Sequence, residues 1–334
     1  MALRAWRMAF FGPVEIWYFS IFYLSLATSF LFPVQTILLL VGSLMFYEAW
    51  GVLLNDLFDR EVDESAGKPG RERGHTLGRK GLAVLVLFVA GIDWAIILSL
   101  GVNLFFDAIW IFAYILGTLY STPPFRLKNR GIPSLISNSV LERPLPVLLV
   151  FAFFGYYGVE MILFPVLSEL VWSVFKHQVH DYTVDLNARV RTMAVTLGRD
   201  LSYAIVRRVI NPMSVFSILI FGLIAYAVTP ALRLLVELSL VILVGGVAGM
   251  VILERMRVFY SDPLDPPYIL YVEFAFLFTL LPVVSLDVAL KDPSFIPLTL
   301  LFLLSLPPHL KRYLPPISKA LGMRIGGADV TRHI

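Results

Sequence analysis

Apolar runs long enough to cross a lipid bilayer recur along the whole chain, separated by short loops that carry nearly all of its Lys and Arg residues. A bilayer core requires about 20 predominantly apolar residues per spanning helix. It offers no water to the backbone, so each spanning segment must satisfy its own amides, which a helix does. The expected fold class is therefore all-α, a polytopic transmembrane helix bundle. A hydrophobic fraction of 58%, a charged fraction of 15% and a mean hydropathy of +0.80 support this, and no stretch is polar enough to form a separate soluble domain.

Spans are expected over residues 14–32, from Pro33 to about 55, and over 82–102, 104–120, 134–154, 157–178, 203–228, 231–253 and 268–287. The last apolar run, 295–306, is short for a crossing. Charge decides how it is counted. With a cytoplasmic N-terminus and this run crossing, the far side holds only Arg233 and Lys291 of the 27 Lys and Arg residues, and Arg143 lies within a span. That satisfies the positive-inside rule. It makes ten crossings in a cell membrane, one transmembrane domain over 1–312 and a cytoplasmic tail over 313–334. A net charge of +3 and a pI near 9.0 do not indicate nucleic acid, because no basic patch is interleaved with aromatic residues. The absence of Cys excludes thiolate chemistry, thiolate metal sites and disulfides. The expected partners are membrane lipids and lipophilic substrates, and no obligate protein partner is evident.

Residues 55–63, NDLFDREVD, end the second apolar run where it meets a charged loop. If the helix continues, Asn55, Asp59 and Asp63 stack at steps of four on one face, with neighbours about 5–6 Å apart. Hard oxygen donors next to an apolar interior suit Mg2+, which keeps positions for water and substrate phosphates. A diphosphate is the ligand this predicts. In KHQVHDYTVD, His177, Asp181 and Asp185 repeat the step of four behind another apolar run. The halves 10–130 and 134–260 share one plan of helix pair, ladder, basic loop and helix pair. Two such ladders facing one cavity would hold metal ions between them, and the charge pattern puts both on the cytoplasmic side.

The order NDxxDxxxD, then YSTPPFRLK at 120–128, then DxxxD resembles the UbiA superfamily of intramembrane prenyltransferases over about residues 10–290. The resemblance implies a nine-helix core, to which the C-terminal run adds a tenth span. It implies Mg2+-dependent ionisation of a polyprenyl diphosphate and capture of the allylic cation by a lipophilic acceptor. Asp59 and Asp181 would be its catalytic carboxylates, within a metal set of Asn55, Asp59, Asp63, Asp181 and Asp185. Lys68 and Arg71 match the family's basic residues after the first ladder, and Arg126 and Lys128 match its second basic loop. Tyr120 belongs to the same segment, and all five are expected on the diphosphate. The family often continues the first loop as RPxxSG, whereas this chain reads Arg71, Glu72, Arg73, Gly74.

Glu48 lies seven residues before Asn55, two turns deeper on nearly the same face. Ionisable groups at membrane depth mark function by default. Glu48 either binds or deprotonates the acceptor, as a catalytic residue, or pairs structurally with Arg143. His177 stands where the family often has Tyr. It would hydrogen-bond a phosphate or orient Asp181, since imidazole is a poor Mg2+ ligand beside oxygen. Two other classes fit parts of the pattern, an ion-coupled transporter with repeated halves and a prenyl-lipid-binding relative without catalysis. Carrier sites lie near the midplane in broken helices. The ladders here end spans beside basic loops, which favours the enzyme.

Overall fold

The computed structural model describes residues 14–65, 78–256, 264–310 and 313, with only the backbone described for 14, 15 and 60–65. The helices are α1 Val14–Ala27, α2 Val34–Ser65, α3 Arg79–Leu100, α4 Leu104–Ser121, α5 Ile132–Glu142, α6 Pro144–Phe153 and α7 Glu160–Val171. Then follow α8 Val174–His180, α9 Tyr182–Asn187, α10 Met193–Leu197, α11 Arg199–Val228, α12 Arg233–Arg255, α13 Pro267–Lys291 and α14 Ile296–Ser305. Among the described residues there is no strand. Among the described residues, eight helical stretches are long and apolar enough to cross a membrane, α5 with α6 counting as one. The C-terminal run, expected to be short, reaches that length as Pro293–Leu310. The helices α1 and α7, of 14 and 12 residues, are shorter.

Two expected spans are broken, each for a local reason. The span over 134–154 bends at Arg143, whose φ of −136° leaves the helical region. Pro144 follows, and its ring disfavours the helical conformation in the residue before it. The span over 157–178 stops at Val171. Trp172 is non-helical, and Ser173 accepts a hydrogen bond from the Phe175 amide to start α8. The Glu169 carboxylate accepts another from the Val174 amide at 2.9 Å, so the new helix start is satisfied inside the fold. The second ladder is therefore carried by the short α8 and α9 rather than by a long membrane helix.

The bundle packs α2 along α3, α12 along α13, and α7 against α6 and α11, while α1 runs through the middle against α6 and α13. Aromatic rings lock that centre: Phe19 meets Phe221 at 4.9 Å between centroids, and Phe164 meets Phe221 at 5.3 Å. Phe276 of α13 adds a contact to Phe221 at 5.9 Å. Outward-facing Leu87, Phe88, Leu98, Phe112 and Leu223 are exposed, as residues of a surface covered by lipid tails are. Asp93, in the middle of α3, is fully buried. It accepts hydrogen bonds from Ser43 of α2 and, at 2.7 Å, from Tyr114 of α4, fastening three helices together.

At the α2–α4 crossing a Cβ on Gly117 would stand 2.9 Å from Cζ3 of Trp50, whose ring centroid lies 4.3 Å from that of Tyr114. Gly117→Val should therefore cost about 1–3 kcal/mol through overpacking. Thermal unfolding in detergent would check it, with Gly91→Val, at a site open to a Cβ, as the tolerated control.

Candidate functional site

The first ladder lies on α2, which runs unbroken through Asn55, Asp59 and Asp63. Asn55 Oδ1 accepts a hydrogen bond from Ser121 at the end of α4. Asp59 Oδ1 accepts from Arg126 Nη2 at 2.9 Å and from the Lys128 ammonium. The segment YSTPPFRLK thus folds its two cations back onto the first ladder. The chain manages this by ending α4 at Thr122 and placing Arg126 in the left-handed region, φ 38°, before a turn of 3-10 helix over Leu127–Asn129. Lys128 is buried, and a buried charge needs such a partner. Asp56, one step off the ladder, is also buried. The side chain of Asp63, and Lys68 and Arg71 altogether, lie outside the described residues.

The second ladder keeps its step of four across the junction of α8 and α9. The Asp181 amide donates to the His177 carbonyl at 3.0 Å, and the Asp185 amide to the Asp181 carbonyl at 2.8 Å. Asp185 is buried, whereas His177 and Asp181 are exposed. Tyr120 is within electrostatic reach of one carboxylate from each ladder, Asp59 and Asp185. Its hydroxyl hydrogen-bonds Ser134 and feels the charges of Glu142, Asp59 and Asp185. Gln178 extends the contact, bonding Ser134 with its amide at 3.5 Å and accepting from the Met193 amide at 3.1 Å. Two loops are also joined directly. Gly131, at φ +61°, donates its amide to the Arg191 carbonyl at 2.7 Å and forms an isolated bridge with Thr192.

Beyond the second ladder, α8 is fastened to the start of α13. Lys176 Nζ lies 2.6 Å from Asp265 and 3.9 Å from Glu273, and His180 Nε2 lies 3.1 Å from Asp265. Burial alone would raise the Asp265 carboxyl, but the hydrogen bond from His180 and the Lys176 charge outweigh it and hold the group well below the usual carboxylate range.

Two turns deeper, Glu48 feels the charges of Glu142 and Arg143, so the residue required for its structural pairing is nearby. Ser121 and Ser134 join these contacts although no motif singles them out, and Gln178 joins them although it stands off the four-residue step as an ordinary interfacial residue. Ser121 stood inside the matched YS pair, whereas nothing in the sequence pointed to Ser134.

Among the described residues, no group of three or more His, Asp or Glu is gathered closely enough to hold a metal ion. The side chain of Asp63, a member of the expected set, is not among them. The donor chemistry still fits Mg2+: an amide oxygen and carboxylates, with Asp59 and Asp185 both acting on Tyr120 and two cations held beside Asp59.

The family model of the UbiA prenyltransferase family matches residues 16–305. In fold the chain is similar to a UbiA homolog from Archaeoglobus fulgidus bound to GPP and Mg2+, with a TM-score of 0.55 and 16% identity over 87% of this chain and 99% of that one. The homolog bound to DMAPP and Mg2+ gives a TM-score of 0.54 and 16% identity over 86% and 98%. A lycopene elongase/hydratase from Halobacterium salinarum is 29% identical over 156 residues, 45% of this chain and 54% of that protein, so the chain spans about half the length of that relative.

Proposed function

This chain belongs to the UbiA prenyltransferase family, and on that premise we propose that it transfers a prenyl group from a polyprenyl diphosphate to a lipophilic acceptor within the bilayer. The observation that carries the proposal is Asp59, held by Arg126 and Lys128 beside the tyrosine whose field Asp185 shares. Asn55, Asp59, Asp63, Asp181 and Asp185 would hold Mg2+, which when bound supplies Lewis-acid stabilisation of the departing diphosphate. The solved homologs named with GPP or DMAPP and Mg2+ support this donor and metal.

Arg126 and Lys128 bring positive charge to where the C–O bond breaks, and Lys68 and Arg71 would add to it from the neighbouring loop. Tyr120 and His177 would orient the diphosphate oxygens. The apolar interior of the bundle takes the prenyl tail and keeps water from the allylic cation. The name of the Halobacterium relative makes a long isoprenoid the first acceptor to try.

Purified protein in liposomes, given Mg2+, labelled geranylgeranyl diphosphate and a lipid extract, should release diphosphate and build a labelled lipid that mass spectrometry identifies. Chelation of Mg2+ should stop both. Ion-driven solute uptake without any release of diphosphate would reject the enzyme in favour of a carrier.

A further inference from the structure

Several cations of the chain lean on a protein group. Arg126 and Lys128 meet Asp59, Lys176 meets Asp265, Lys291 meets Asp287, and Arg199 and Arg233 lie over the rings of Tyr203 and Tyr226. Arg207 and Arg208 of α11 do not. Both are exposed, and neither side chain makes an ion pair, a hydrogen bond or a ring contact with a described residue.

The two arginines stand on a π-turn, Val206–Ile210, which has a local cause. Pro212 has no amide to offer the Arg208 carbonyl. The Asn211 amide bonds to the Val206 carbonyl instead, five residues back, and the helix widens there. The inner side of the turn is fixed. Val206 is fully buried with Phe175 and Val179 of α8 and with Leu264, and the Asn211 side-chain amide donates to the Leu264 carbonyl at 3.3 Å. Two adjacent cations are therefore held outward from a braced stretch of helix rather than from a loop.

Helix length sets their depth. From Arg208 to Val228, the end of α11, the chain rises about 30 Å, the thickness of a bilayer core. The antiparallel α12 gives the same level. Arg233 at its start lies 5.0 Å from the ring centroid of Tyr226 in α11, and Arg255 at its end is about 33 Å further along. That brings exposed Arg255 to within about 6 Å of the level of Arg208. Tyr268, in the first turn of α13, lies in the fields of Glu254 and Arg207 and so stands beside the pair. All of these groups are on the side of the second ladder, since Val206 packs against the helix that carries it.

The outer face of α11 around the pair is apolar and exposed, with Leu201 before it and Val209, Met213 and Phe216 after it. Lipid tails cover such a face. What stands over the arginines is then the head of the same lipid, and guanidinium groups bind phosphate by two-point contact. We propose that Arg207 and Arg208, with Arg255 beside them, bind the phosphate of an anionic membrane lipid in the leaflet on the ladder side, its acyl chains lying along Val209, Met213 and Phe216. Because Val206 packs on Phe175 and Val179, the bound lipid also braces the helix that carries the second ladder. This lipid is neither donor nor acceptor, and the site stands whatever reaction the ladders perform.

The test compares the full chain in nanodiscs of phosphatidylcholine with the full chain in nanodiscs that also contain phosphatidylglycerol. Lipid retained after transfer to detergent is read by native mass spectrometry, and the melting temperature is measured in each nanodisc. Preferential retention of phosphatidylglycerol and a higher melting temperature with it are expected. Arg207→Gln with Arg208→Gln should weaken that retention about 30-fold, the scale of two surface cations beside an anionic leaflet, and abolish the gain in melting temperature. Arg207→Lys with Arg208→Lys should keep part of both. Arg79→Gln with Lys80→Gln removes the same charge from the exposed start of α3 and should leave both unchanged.

Equal retention of the two lipids would overturn the proposal. An equal loss in the α3 pair would do so too, by reducing the effect to general surface charge. The same gain in melting temperature from glycerol phosphate, which has no tails, would replace the lipid with a free phosphate. Where the double variant does not fold, Arg208→Gln alone decides, with an expected loss of about 5-fold.

Discussion

Asp59→Asn is expected to lower turnover by at least about 10²-fold, the scale of losing one preorganised charge at a reacting centre. Asparagine matches the carboxylate in size and still accepts from Arg126 and Lys128, but it cannot hold a metal against a diphosphate. The buried Lys128 then loses its counter-charge, so the melting temperature should fall as well. Asp181→Asn separates the two effects. Asp181 is exposed and makes no ion pair with a described residue, so its loss should depress turnover to a similar degree with the melting temperature unchanged. The double variant should be scarcely worse than either single one if the ladders act as a unit. Near-normal turnover in either variant, at an unaltered Mg2+ requirement, would dissolve the paired-ladder site.

Lys176→Met should destabilise the protein by about 3 kcal/mol, because breaking a buried ion pair strands the remaining charge. Lys176 is 8% exposed, and its loss leaves Asp265 with His180 alone. Lys176→Arg should recover most of the loss. The same contact predicts an acid limit. Native Asp265 binds its proton at lower pH than it does in the unfolded chain. Its contribution is therefore complete above the unfolded value of about 4 and is lost as pH falls through the lower native value. Melting temperatures of the wild type and Asp265→Asn should differ at neutral pH and converge in acid, and a gap that widens in acid would reverse the assignment.

The bundle and the first ladder were legible because they depend on local quantities, the length of apolar runs and a four-residue step, which a helix converts into geometry directly. Pro144 stands in the sequence just as plainly, yet a proline in an apolar run does not by itself say that the chain will turn a charge inward. The break at Trp172 had no such marker. It depends on Ser173 and Glu169 capping a new helix from both sides, a tertiary arrangement that spacing does not encode.

Asp93 was passed over for a related reason. A lone carboxylate in a span has no pattern, and its partners Ser43 and Tyr114 come from two other helices. Arg126 and Lys128, expected on the diphosphate, pair with Asp59 of the first ladder, a contact between distant segments that their order in the sequence does not encode.

The amide of Gly131 on the Arg191 carbonyl, with Thr192 bridged beside it, ties a loop of the first half of the chain to one of the second. Two loops pinned at one point cannot lift independently. Lifting either loop means breaking this contact, so the movement of a loop in one half of the chain is coupled to that of a loop in the other.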